Sequence, residues 1–469
     1  MTLVIVSILL IGYFLIATEH LNKLNKSSVA MFLGVVGWIL YIFNGPEYVQ
    51  SMHSAEYLAF LDGAVSTQET IKNFIASHVF MQYVMSACQV ILFIIATSAI
   101  IEVLVANEVF EFLAVWMRTR HSKQLLWVVA LVTFLLSAEI DNLTTAVIMV
   151  LVLRKLVPQS KQRFYYSCVI LVAANAGGCF TAIGDVTSLI LWTKNAITPS
   201  TFALDLALPA VVTVVVTTFL ASLKVPDHLD VRSSLGKYVG DDYILPAWQR
   251  FILFVVGIGG LWAIPTLHNV TKLPPFVGAL CVMSLLWVLV QLFTWKRMDV
   301  INNLSHSGFS ADVRTSDASQ ILFFMGIYLA VGVVTETGAL HIFANWCDTN
   351  IHNTYILTAF FGLVSSVLDN IPLVVASTSM YPVLDAATVA SSADAAYLLD
   401  FVQNGSYWEL LSFCTAMGGT LLTIGTVAGF SVASLERIPF LSYINRFSWM
   451  VLIGWLCGLL VYFITDMAF

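Results

Sequence analysis

Two short stretches set an Asp-Asn pair deep inside an apolar run: Ser137-Ala-Glu139-Ile-Asp141-Asn142-Leu-Thr144 and Ser365-Ser-Val-Leu-Asp369-Asn370-Ile-Pro372, at an offset of 228. Neither pair has Lys or Arg beside it in the sequence. A carboxylate at membrane depth costs roughly 2.5–3.5 kcal/mol on insertion scales. Paying that twice, at matched positions, points to a cation site at the junction of two related halves. A third acid, Asp185, closes the run Asn175-Ala-Gly177-Gly178-Cys-Phe-Thr181-Ala-Ile-Gly184-Asp185-Val-Thr187-Ser188. Its counterpart at an offset of 241 is Gly418-Gly419-Thr420-Leu-Leu-Thr423-Ile-Gly425-Thr426. Carboxylate, amide and hydroxyl oxygens suit a hard cation. The candidate set is therefore Asp141, Asn142, Asp185, Asp369 and Asn370. It extends to Glu139, Thr144, Thr145, Thr181, Thr187, Ser188, Ser137, Ser365, Thr420, Thr423 and Thr426. A hard cation is expected at Asp141, Asp185 and Asp369, and no bound cofactor is called for beyond transported ions.

The elements that must hold these oxygens follow from composition. Of 469 residues, 59% are hydrophobic and 10% charged, outside the range of soluble domains. The chain is expected to be an all-α polytopic membrane protein. Its net charge of −7 gives no nucleic-acid signal. Seven scattered Cys, with no CxxC, give neither a disulfide framework nor a zinc site. No basic n-region precedes residues 2–17, so an uncleaved first helix with its N-terminus outside is expected. Spanning segments are predicted at 2–17, 28–43, 82–107, 165–194, 203–223, 250–267, 275–295, 319–345, 407–434 and 447–465.

The segments 125–153 and 354–382 carry the Asp-Asn pairs and read differently. Basic residues flank the first on both sides (Arg118, Arg120, Lys123; Arg154, Lys155), whereas none occurs from 315 to 436 around the second. Each is predicted to enter and leave by one face, the first from inside and the second from outside. With five crossings per half, 18 of 21 basic residues then fall inside. Five is odd, so residues 1–223 and 250–469 form inverted repeats, joined by a cytoplasmic linker at 224–249. Gly177, Gly178, Gly184, Gly418, Gly419 and Gly425 are expected to unwind the segments 165–194 and 407–434. Pro372 is expected to break the second hairpin. Glu102 and Glu336 also lie in apolar segments, at helix ends or bracing the scaffold.

With both hairpins and the Asn175–Thr187 run in view, the chain resembles the NhaD-type sodium/proton antiporters of the ion transporter superfamily over roughly residues 80–465. The resemblance implies a homodimer, a scaffold domain, a transport domain and elevator-like alternating access. It implies exchange of cytoplasmic Na⁺, or Li⁺, for external H⁺ in a bacterial cytoplasmic membrane. A proton or a sodium ion can each neutralise the acid cluster, so competition for carboxylates would couple them. The superfamily's symporters carry Ser-Asn-Thr at the hairpin tips, where this chain has Asp-Asn-Leu-Thr and Asp-Asn-Ile-Pro. Fixed negative charge there argues against the alternative, a sodium-coupled carrier of an anion such as a dicarboxylate. An intramembrane aspartyl protease is disfavoured because Ala182-Ile-Gly184 precedes Asp185 in place of Gly-x-Gly. A channel would need no proton coupling.

Overall fold

Away from water a backbone amide has no partner but another amide, so apolar runs of this length close into helices. The computed structural model describes residues 2–22, 24–117, 119, 121–157, 159–225, 245–294, 309–390 and 394–468, and these are almost wholly helical. The first half contains α1 (Thr2–Ala17), α2 (Lys26–Phe43), α3 (Gln68–Ala106), α4 (Ser122–Ser137), α5 (Asn142–Leu156), α6 (Ser160–Cys179), α7 (Val186–Thr193) and α8 (Pro199–Ser222). The second contains α9 (Ala247–Thr271), α10 (Pro275–Thr294), α11 (Phe309–Glu336), α12 (Ala339–Asn350), α13 (Thr354–Ser365), α14 (Asn370–Met380), α15 (Ser406–Gly419), α16 (Val427–Glu436) and α17 (Trp449–Ala468). Among the described residues seven helices are long and apolar enough to cross a membrane. The chain is a polytopic α-helical membrane protein.

Two boundaries differ most from expectation. α3 starts well before residue 82 because Thr67 and Thr70 form a capping box, and a π turn at Ile75–Val79 carries the helix onward. The span expected over 319–345 stops at Glu336, where Gly338 adopts φ +75 and α12 starts afresh. Most of the 224–249 linker lies outside the described residues. So do Lys23, Arg118, Arg120, Arg232, Lys237, Lys296 and Arg297, which entered the inside–outside count.

Helix neighbours recur in matched sets. α1 packs on α2 as α9 packs on α10, and α4 packs on α6 as α13 packs on α15. Other contacts run between the halves in exchanged form: α2 against α11 and α10 against α3; α5 against α16 and α14 against α7.

Two of the glycines make the α4–α6 and α13–α15 contacts possible. A Cβ on Gly177 would overlap the Phe134 carbonyl oxygen, and one on Gly418 would overlap that of Gly362. Beside each contact a serine bonds across: Ser137 Oγ donates to Ala174 O at 2.6 Å, and Ser365 Oγ to Thr415 O at 2.8 Å. The expectation that Gly177, Gly178, Gly418 and Gly419 unwind their helices is corrected. All four sit inside α6 or α15, where they permit close backbone approach. Only Gly184 and Gly425 fall in the breaks that follow. Gly418→Ala should lower thermal stability by about 1–3 kcal/mol, the range for overpacking. Gly259→Ala, with nothing within 4 Å of the added carbon, should change it little. Equal melting temperatures for the two variants in detergent would contradict the close-approach account.

Glu336, at the end of α11, is buried at 6% exposure. It accepts from His53 Nε2 at 2.6 Å and Tyr83 Oη at 2.8 Å, with Tyr41 Oη at 3.5 Å. His53 lies outside the spans, between the short helices Gly45–Met52 and Ser54–Leu61, and its Nδ1 meets Glu56 at 2.9 Å. The bond to Glu336, and the charges of Glu336 and Glu56, outweigh burial and push the imidazole from 6.5 up to about 9. A folded value above the unfolded one stabilises fully below about pH 6.5 and is lost as pH rises through about 9. Melting temperature should therefore fall more steeply over that window in the parent than in His53→Gln. Parallel curves would remove the bridge as a pH-dependent element.

Candidate functional site

Each apolar segment carrying an Asp-Asn pair turns at the Asp, which becomes the N-cap of a following helix. Asp141 caps α5: its Oδ2 accepts from Thr144 N and from Thr144 Oγ1, both at 3.1 Å. Asp369 occupies the same place before α14 but makes no side-chain cap bond. The two broken helices repeat the device. Asp185 Oδ1 caps α7 through Thr187 N at 3.3 Å, and Thr426 Oγ1 caps α16 through Gly429 N at 3.0 Å. Four short helices thus aim their N-termini, the positive ends of their dipoles, at the region between the halves.

These ends line two cavities rather than one. In the first, the α4–α5 turn supplies Glu139, Asp141 and Thr144, and the start of α7 supplies Asp185. Thr97, Ser98 and Gln320 add neutral polar groups. None of its described lining residues is Lys or Arg. One oxygen of Glu139 is buried with no hydrogen-bond partner. The second cavity is lined by the equivalent turn and break, with Asp369, Pro372 and Thr426 at the matched positions. Here Glu19, Tyr13 and Lys26 join them. Lys26 Nζ stands 3.7 Å from Asp369 Oδ2, and Asp369 Oδ1 is buried without a partner. Asn370 Nδ2 ties the second turn to the first cavity by donating to Asp185 Oδ2 at 3.3 Å, while Asn142 Nδ2 donates within the first half to Asn175 Oδ1 at 3.3 Å. Asp185 lies within electrostatic reach of both Asp141 and Asp369.

The far ends of the short helices are also fastened. Glu436, closing α16, accepts from Arg154 Nε of α5 at 2.7 Å and Arg163 Nε of α6 at 2.8 Å. At the opposite end Asn404 donates from its backbone to Ala196 O at 2.9 Å and accepts from Thr198 N at 2.5 Å. Each clamp joins a broken helix of one half to elements of the other.

The family model described as "Citrate transporter" matches residues 13–399. The chain is 32% identical over 463 residues to "Sodium/proton antiporter 1" of Arabidopsis thaliana, covering 96% of this chain and 70% of that protein. The chain belongs to the citrate transporter family and is an NhaD-type sodium/proton antiporter homologue. It is also 29% identical to "Sodium/proton antiporter 2" of the same plant, over 96% of this chain and 97% of that protein. "Na(+)/H(+) antiporter NhaD" of Vibrio parahaemolyticus is 25% identical, over 82% of this chain and 91% of that protein.

Within this member of the family several expected ligands have other work. The hydroxyls of Ser137, Ser365, Thr145, Thr181, Ser188 and Thr420 all donate to backbone carbonyls. Those of Thr145, Ser188 and Thr420 are local, those of Ser137, Ser365 and Thr181 cross to another segment, and none of the six residues lines either cavity. Thr187 Oγ1 is the exception, buried with no partner; Thr423 is buried and lines neither cavity. Pro372 does not break a helix. It sits at the third position of α14, in the first turn, where a missing N–H costs nothing. Asp141 and Asp369, expected at a single site, line separate cavities that are joined through the bond from Asn370 to Asp185. The expectation that no basic residue approaches the acids is overturned at Asp369 by Lys26. Sequence reading missed Lys26 and Glu436 because each meets its partners across hundreds of residues, a relation no local spacing records.

Proposed function

We propose that this chain exchanges cytoplasmic Na⁺ for external H⁺, and that the first cavity is where the two compete. The observation that carries the reading is the gathering of Glu139, Asp141 and Asp185 around one cavity with no Lys or Arg among its described lining residues. A buried cluster of acids demands a mobile counter-charge. A sodium ion or protons can each supply it, and both cannot fill it together. The capped ends of α5 and α7 aim dipoles that temper the negative charge without cancelling it. Thr144 holds the Asp141 carboxylate by two bonds and fixes where an ion would sit.

Exchange follows if the ion-bearing unit moves only when neutralised. The exchanged pairing of α5 with α16 and of α14 with α7 supports inverted repeats whose hairpins and broken helices travel as one body. The Glu436 and Asn404 clamps support the same unit, since both tie it internally. α2, α3, α10 and α11 pack among themselves and would form the scaffold for an elevator-like motion. A homodimer in a bacterial cytoplasmic membrane, with the N-terminus outside and Li⁺ as a second substrate, comes with the resemblance. The family description "Citrate transporter" favours a second reading, a sodium-coupled carrier of a carboxylated anion. Three carboxylates around the first cavity would repel such a substrate.

The deciding experiment reconstitutes the purified chain in liposomes and measures proton flux driven by Na⁺, Li⁺ or K⁺, with citrate uptake in parallel. Proton efflux on adding Na⁺, absent with K⁺, is the expected result. Sodium-dependent citrate uptake without proton flux would establish the second reading instead.

A further inference from the structure

The two cavities occupy matched positions yet differ in charge: Thr426 and Val367 stand where the first has Asp185 and Glu139, Glu19 joins the second, and Lys26 is the one basic residue among the described linings. Residues aligned by the repeats face each cavity: Asp141 and Asp369 at the turns, Thr144 and Pro372 one turn on, Asp185 and Thr426 at the breaks. In the first, acids have no basic neighbour among the described lining residues. In the second, Lys26 reaches in from the start of α2. Its ammonium stands 3.7 Å from Asp369 and 4.7 Å from the centre of the Phe323 ring, a cation–π contact. Its backbone N–H is held by Glu19 Oε1 at 3.2 Å, which fixes the stem of the side chain. Asp369 shows only 9% side-chain exposure and Lys26 22%, so water screens the pair weakly.

We infer that Lys26 is a tethered cation occupying, in the second cavity, the place that a free Na⁺ takes in the first. This rests on the exchange reading for the identity of the free ion. A sodium ion at Asp369 would have to displace a positive group that cannot diffuse away. The ammonium is ion-paired with one carboxylate oxygen, the group that Na⁺ would coordinate, and so balances the charge of the same acid with no bound ion. The chain thereby keeps the folded symmetry of two acid-lined turns while leaving only one open to ions. The unpartnered Asp369 Oδ1 marks the room a ligand would use if Lys26 were absent.

The test counts ²²Na⁺ bound at saturation by the purified full-length chain in detergent, at a fixed alkaline pH. Lys26→Gln should bind one more Na⁺ per chain than the parent, whereas Lys26→Arg should bind the parental number. Lys26→Gln/Asp369→Asn should return to the parental number, because the vacated acid is gone too. An unchanged count in folded Lys26→Gln, or an extra ion that survives in the double variant, overturns the proposal. Should Lys26→Gln fail to fold, Asp369→Asn decides: a full parental count supports the tether, and loss of one Na⁺ refutes it. A parent that binds no Na⁺ refutes the exchange reading, and a gain in Lys26→Gln would still stand for Lys26.

Discussion

Asp141→Asn should abolish Na⁺-induced dequenching of a ΔpH dye in everted vesicles while leaving the protein folded and present at parental abundance. The separation of effects comes from the geometry. Asn is as good an N-cap as Asp, so its carbonyl oxygen can still accept from Thr144 N, and α5 should start where it does now. What disappears is one negative charge from a cavity whose described lining holds no Lys or Arg. Losing one partner of a buried charged contact costs about 2–5 kcal/mol, or roughly 30-fold and upward in ion affinity. Asp185→Asn should do the same: its single carboxamide oxygen can keep the cap on Thr187 N, while the bond that Asn370 Nδ2 gives to the second carboxylate oxygen is lost with the charge. Parental dequenching by folded Asp141→Asn would remove the first cavity from the exchange path.

Glu436→Gln should be the most destabilising single change in the interior, by about 3–5 kcal/mol, the range for breaking a buried ion pair from one side. Glu436 is buried at 7% exposure, and both of its oxygens are engaged by guanidinium groups. Removing the carboxylate takes away the charge that Arg154 and Arg163, the latter 8% exposed, both engage. Arg154 is about a third exposed, so water screens its share of the loss, and Arg163 dominates. The expected readout is a large fall in melting temperature in detergent, together with lower abundance in the membrane. A parental melting temperature would show that the clamp between α5, α6 and α16 is not needed to hold them together. A stable but inactive variant would still place the clamp in the moving unit without assigning it the stability.

Much of the architecture could be read directly from the chain, for reasons that are local. Long apolar runs must become helices in lipid, so most span boundaries fell within a few residues of their expected places. The Asp-Asn turns were legible because an acid amid apolar residues stands out whatever its partners. Helix ends were less so. Gly338 and the capping box at Thr67 moved two boundaries by geometry that hydropathy does not weigh. Glycine was the most misleading signal. At Gly177 and Gly418 its absence of a side chain admits a neighbouring backbone, and sequence cannot tell that from unwinding.

Composition and pattern by themselves determined the class, the positions of the acids and the two breaks, since each depends only on residues near one another in the chain. The tertiary structure alone decided that Asp141 and Asp369 line separate cavities, that Lys26 stands beside one of them, and that Glu436 anchors two arginines. Those facts arise where helices distant in sequence meet, and the charge beside an acid is set by whatever packing brings there.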